Sequence, residues 1–146
     1  MTADIMPNHG ITGLSITQDE VDLFLDYLVK TDPVPGMVHD KSQEAKNTEL
    51  RDVDVRYIDA KEDRLYRILN KIAVSANKYF RYDISGIETA QILHYNAPSN
   101  GYGYHIDIGP EGTAANRKIS VSLMLNEEYE GGEICFRTSD NANCTR

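Results

Sequence analysis

The chain has 146 residues, of which 40% are hydrophobic and 26% charged, so it is long enough for one domain around one core and too apolar to stay disordered. Its formal net charge is −8 and it has no run of Lys and Arg, which argues against nucleic-acid phosphates as the partner. No apolar stretch is long enough to span a bilayer, and the first residues do not read as a secretory leader, so a cytoplasmic protein without a membrane partner is expected.

Residues 1–14 show no clear period and are expected to lead in loosely. Thr17-x-x-Glu20 is a capping box, and Val21, Phe24, Leu25 and Leu28 then fall on one helical face. Pro33 and Pro35 predict an end near Thr31. Pro33 to Leu50 is polar and turn-rich and reads as a loop, with His39 as a solvated side chain in it. Asp52 to Ile58 alternates and reads as a strand. Asp59-x-x-Glu62 reads as a second capping box. After it, Leu65, Ile68, Leu69, Ile72, Ala76 and Tyr79 predict a helix over about 60–79. Asp83 to Gly86 reads as a turn, Glu88 to Tyr95 as a strand, and Asn96 to Gly101 as a loop rich in turn residues.

His105-Ile106-Asp107 follows. On a strand, residues at i and i+2 share a face, so an imidazole and a carboxylate would project side by side like two ligands of one metal. One nitrogen and one hard oxygen suit divalent iron, manganese or zinc. Gly109 to Asn116 is a polar loop. Arg117 to Leu125 alternates strictly, with Ile119, Val121, Leu123 and Leu125 on one face and Lys118, Ser120, Ser122 and Met124 on the other, and predicts a strand. Asn126 to Glu130 is an acidic turn, Gly131-Gly132 permits backbone angles closed to other residues, and Glu133 to Phe136 reads as the next strand. Cys135 and Cys144 are too few for a disulfide scaffold and are expected as reduced thiols; Asn143-Cys144-Thr145 fits a glycosylation acceptor but lacks a secretory context.

The series Gln91, Tyr95, Gly101-Tyr102, His105-x-Asp107, Arg117-Lys118-x-Ser120, Leu125-Asn126 and Tyr129-x-Gly131-Gly132-Glu133 resembles the Fe(II)/2-oxoglutarate-dependent dioxygenases. Most similar is the prolyl-4-hydroxylase-like branch with its short bacterial and phage members. Residues 88–136 carry the match, and 15–87 follow it in outline. The resemblance implies an α+β fold, a double-stranded β-helix (jelly-roll) core with two N-terminal helices packed on its sheet. The whole chain, 1–146, would be a single domain, with helical support over 15–80 and motif strands over 88–137. It implies His105 and Asp107 as metal ligands, and Tyr95 and Ser120 as contacts to 2-oxoglutarate. The cofactors implied are Fe(II) and 2-oxoglutarate, with ascorbate as a further candidate. The substrate would be a peptide or protein residue such as proline, or a small molecule.

The family's third ligand is a histidine on a later strand, followed by a Lys or Arg that pairs with 2-oxoglutarate. This sequence has His9, His39, His94 and His105, and none after 105, while Arg137 falls too early to be that basic residue. The resemblance therefore implies a barrel incomplete at the C-terminus, interrupted before that strand. His94 adjoins Tyr95 and, on a strand, points to the opposite face. Two other readings stand beside the oxygenase: a binding module that kept the fold without the chemistry, and a structural metal site using His105, Asp107 and Cys135 or Cys144.

Overall fold

Thr17 caps the first helix by exchange with Glu20: the Glu20 N–H donates to Thr17 Oγ1 at 3.2 Å and the Thr17 N–H donates to Glu20 Oε2 at 2.9 Å. Helix α1 runs Gln18–Lys30 and closes at Thr31, whose hydroxyl donates to the Tyr27 carbonyl at 2.7 Å. Its Phe24 is buried, with Val21, Leu25 and Leu28 half-buried beside it. The structure, a computed structural model, describes residues 4–6, 10–12, 14–40, 43–137 and 142–145. His9 and residues 138–141 of the polar tail lie outside the described residues.

Helix α2 runs Asp63–Phe80 and buries Leu65, Ile68, Ile72 and Ala76, a stripe at spacings of three and four. It starts later than the Asp59 box implies. Glu62 is the N-cap and makes no side-chain capping bond, while Asp59 Oδ1 accepts from the Lys61 N–H at 2.9 Å in the turn before the helix. The carboxylate that reads as a cap thus closes a local Asx turn instead. At the other end Arg81 adopts φ +58°, and Asn77 holds both the N–H and the carbonyl of Tyr82 at 2.9 Å. Lys71 Nζ lies 3.0 Å from Glu20 Oε1, linking the two helices.

The strands form small antiparallel sheets: β1 (Asp4–Met6) with β2 (Gly10–Thr12), and β3 (Val34–Pro35) with β7 (Asp54–Tyr57) and β8 (Gln91–His94). The others pair β4 (Met37–Asp40) with β5 (Gln43–Lys46), β6 (Arg51–Asp52) with β9 (Gly101–Tyr102), and β10 (Ile134–Arg137) with β11 (Ala142–Thr145). The fold is therefore α+β, two helices with small antiparallel sheets. The core gathers Phe24, Ile58, Leu65, Ile68, Ile72 and Ile92, with Leu123 and Leu125 against it. Each such side chain, fully buried, contributes about 1.5–3 kcal/mol. Two tyrosine hydroxyls tie the layers. Tyr27 donates to the Tyr57 carbonyl and accepts from the Asp59 N–H, both at 3.0 Å. Tyr66 donates to the Ile58 carbonyl at 3.0 Å and accepts from the Ala90 N–H at 3.2 Å.

Several sequence expectations are corrected. Residues 4–12 contain a strand pair where a loose lead-in is expected, and 34–46 contains three strands where a loop is expected. Strands this short give hydrophobic periodicity too few positions to show. Glu88 to Tyr95 contributes a strand only over Gln91–His94. His105, Ile106 and Asp107 are not in a strand, and Arg117 to Leu125 joins no ladder among the described residues. The faces of that last segment nevertheless divide much as the alternation implies: Ile119, Leu123 and Leu125 are half-buried, Lys118, Ser120, Ser122 and Met124 exposed, and only Val121 departs, at 40% exposure. Gly131 and Gly132 take φ +75° and +71°, as their pairing suggests.

The cysteines are not reduced thiols: Cys135 and Cys144 face each other across β10 and β11 and form a disulfide. Among the described residues no helix is long and apolar enough to cross a membrane.

Candidate metal centre

Strand β8 ends at His94, and the chain then turns through a loop held onto β6 and β7. Asn96 Nδ2 donates to Asp54 Oδ2 at 2.9 Å, Ser99 Oγ donates to the Asp52 carbonyl at 2.7 Å, and the Asn100 N–H donates to Asp52 Oδ2 at 3.1 Å. Gly101 takes φ +72°, which directs the chain into β9 with Tyr102 opposite Arg51. The Gly103 N–H then donates to the Leu50 carbonyl at 2.8 Å. These contacts fix the backbone up to the residue from which His105 hangs.

His105 Nδ1 lies 2.8 Å from the Gly103 carbonyl, and its ring stacks on Tyr102 with centroids 3.8 Å apart. A carbonyl only accepts, so Nδ1 carries the proton and donates it. Nε2 then faces Asp107 Oδ1 at 3.2 Å. Two lone pairs meet there unless a proton or a cation lies between them. Neighbouring donors around a six-coordinate divalent ion, each at about 2.1 Å, sit about 3.0 Å apart, so the pair fits two adjacent positions of one such ion. An Nδ1–H given to a backbone carbonyl is also the usual way a ligating imidazole is oriented. His105 and Asp107 side chains are 40% and 49% exposed, leaving room for other ligands.

Arg117 braces the carboxylate side. Its Nη1 donates to the Asp107 backbone carbonyl at 2.6 Å, and Nε and Nη2 donate to Glu88 at 3.0 and 2.8 Å. The Arg117 hydrogen bonds hold the Glu88 carboxyl below its ordinary pKa, and Glu88 in turn raises that of Arg117. On the other side the Arg51 guanidinium lies 4.7 Å from the Tyr102 ring centroid and donates to the Met37 carbonyl at 2.8 Å and Gln91 Oε1 at 3.1 Å. Burial pushes the Tyr95 phenol up, with nearby Tyr102 adding to the shift and Arg51 opposing it.

Of the residues singled out in the sequence, His105 and Asp107 are thus brought together without the strand expected to do it. Arg51 and Tyr102 act electrostatically on the Tyr95 phenol. Ser120 lies on the exposed side of its segment, with no hydrogen bond to the pair. His94 lines a cleft of about 260 Å3 with Gly36, Arg51, Asp52, Asp54 and Asn96, and among the described residues no third His, Cys, Asp or Glu completes a metal-binding group. Sequence reading missed Arg51, Glu88 and the reach of Arg117 to Asp107; contacts across irregular chain leave no periodic signature. Comparison of the chain with family models, curated proteins and solved structures finds no match.

Proposed function

We propose that the chain is an Fe(II)- and 2-oxoglutarate-dependent dioxygenase of prolyl-4-hydroxylase-like type, acting on a peptidyl or small-molecule C–H bond. The observation that carries this reading is the His105 Nε2–Asp107 Oδ1 separation of 3.2 Å, with Nδ1 given to the Gly103 carbonyl. An iron held there by His105 and Asp107 would supply open positions for 2-oxoglutarate and oxygen, and with them the oxidative decarboxylation chemistry. His105 and Asp107 hold two adjacent positions, Gly103 and Tyr102 orient the imidazole, and the raised Tyr95 phenol stays protonated at neutral pH and able to donate to a carboxylate of 2-oxoglutarate. Ser120 would contact the same co-substrate, and ascorbate would serve as accessory reductant. On this reading the small sheets and the alternating 117–125 segment belong to a jelly-roll core in a single domain.

A second reading is favoured by the two-residue donor set, since no third ligand joins the pair among the described residues. It keeps the fold as a binding module without turnover. Anaerobic titration with Fe(II) and 2-oxoglutarate separates the two. A visible charge-transfer band that is lost in His105→Ala and Asp107→Ala, with 2-oxoglutarate turnover on admitting air, supports the oxygenase. No band at millimolar ligand leaves the binding module.

A further inference from the structure

His105 and Asp107 sit on irregular chain, yet their separation is short. Ile106 between them is 80% exposed and Ile108 is 50% exposed, so apolar packing does not fix this stretch. Two separate anchors do. His105 is held from the β9 side by the Gly103 carbonyl and the Tyr102 ring. Asp107 is held at its backbone carbonyl by Arg117 Nη1 at 2.6 Å. The rest of the Arg117 guanidinium is occupied by Glu88, through Nε to Oε1 at 3.0 Å and to Oε2 at 3.1 Å, and Nη2 to Oε2 at 2.8 Å. Contacts from both Nε and Nη2 to one carboxylate leave a planar guanidinium little freedom. Glu88 itself lies just before Ala90, whose N–H and carbonyl are tied to Tyr66 and to the buried Ile58.

We infer that Arg117, fixed by Glu88, is a positioning residue that holds the Asp107 carboxylate opposite His105 Nε2. The inference rests on the metal-binding reading of that pair. The link runs from a core-anchored segment to one ligand only, so its loss displaces Asp107 while leaving the imidazole oriented. A one-point change of ligand position is read by the metal, whose colour reports its donor set.

The test is titration of the purified full chain with Co(II), a coloured stand-in for Fe(II), in wild type, Arg117→Gln, Arg117→Lys, Glu88→Gln and His105→Ala. Arg117→Gln is expected to weaken Co(II) roughly 10–100-fold and to change its visible spectrum, the usual effect of losing a group that orients a ligand. Arg117→Lys, which keeps the charge and a single donor nitrogen but not the fork, should fall between. Should Arg117→Gln lose structure, Arg117→Ala with millimolar guanidinium ion provides the second arm: recovery of the wild-type spectrum marks positioning, since a fold lost for other reasons does not return with the missing group. Wild-type affinity and spectrum in Arg117→Gln would overturn the inference and leave the metal reading standing. A wild-type chain whose Co(II) signal is absent, or indifferent to His105→Ala, overturns both.

Discussion

All nine buried hydrophobic residues among the described residues lie between Phe24 and Ile92; the segment that carries the His–Asp pair has none, and Tyr104 and Ile106 there are 60% and 80% exposed. The first region is held by many apolar contacts, each small and all acting together. The second is held by a few directed bonds: Gly103 to Leu50, His105 to Gly103, and Arg117 to Asp107 and Glu88. One region supplies stability and the other geometry. Substitutions in them should accordingly separate, with unfolding free energy lost from the first and metal affinity from the second.

The largest effect expected comes from giving both regions the same truncation. Ile58 is 2% exposed, and Ile58→Ala should cost about 2–5 kcal/mol, while Ile106→Ala should stay within about 0.5 kcal/mol. Urea unfolding measures both; equal costs would mean that the site segment is packed after all. The disulfide comes next. Cys135 and Cys144 are separated by 9 residues, and closing so short a loop is worth about 2–3 kcal/mol on the chain-entropy account. Reduction should lower the unfolding midpoint accordingly. If it leaves the midpoint unmoved, β10 and β11 open without the core noticing.

The same division explains what could be read from the sequence. Both helices were legible because Phe24 and the Leu65–Ile68–Ile72–Ala76 stripe repeat at the helical period, and because Thr17 and Glu20 cap reciprocally. The alternation of 117–125 still sorts its faces, since Leu123 and Leu125 meet the core even without a ladder among the described residues. The strand pairs β1–β2 and β4–β5 were not legible, because strands of three or four residues are too short to show a period. In the site, the residue types were legible and the means of bringing them together was not. His105 and Asp107 were expected to meet through a strand's two-residue repeat; they meet through a carbonyl, a tyrosine ring and an arginine.

Tyr66 ties the first region together, because its hydroxyl serves both Ile58 in the core and Ala90 at the approach to β8. Tyr66→Phe removes one donor and one acceptor from a half-buried position and should cost about 1–3 kcal/mol by denaturant unfolding. A cost near zero would show water taking over both bonds.

The smallest effect belongs to Glu88→Gln without metal, where the pair is read through pH and salt. Arg117 holds the Glu88 carboxyl below its ordinary value of 4.5, so the folded state binds this proton less readily than the unfolded chain does. The stabilisation is present in full above the unfolded value and is lost as pH falls through the lower folded one. Both side chains are 41% exposed, so water screens the pair and its worth is at most about 1 kcal/mol, less at high salt. Wild type should therefore exceed Glu88→Gln in unfolding free energy at neutral pH and converge with it in acid. Glu20, also held low by its cap and by Lys71, titrates alike in both proteins and cancels in the difference. A gap that persisted in acid would assign Glu88 a packing role in place of an ionic one. That would transfer it from the directed bonds of the site to the apolar region it adjoins.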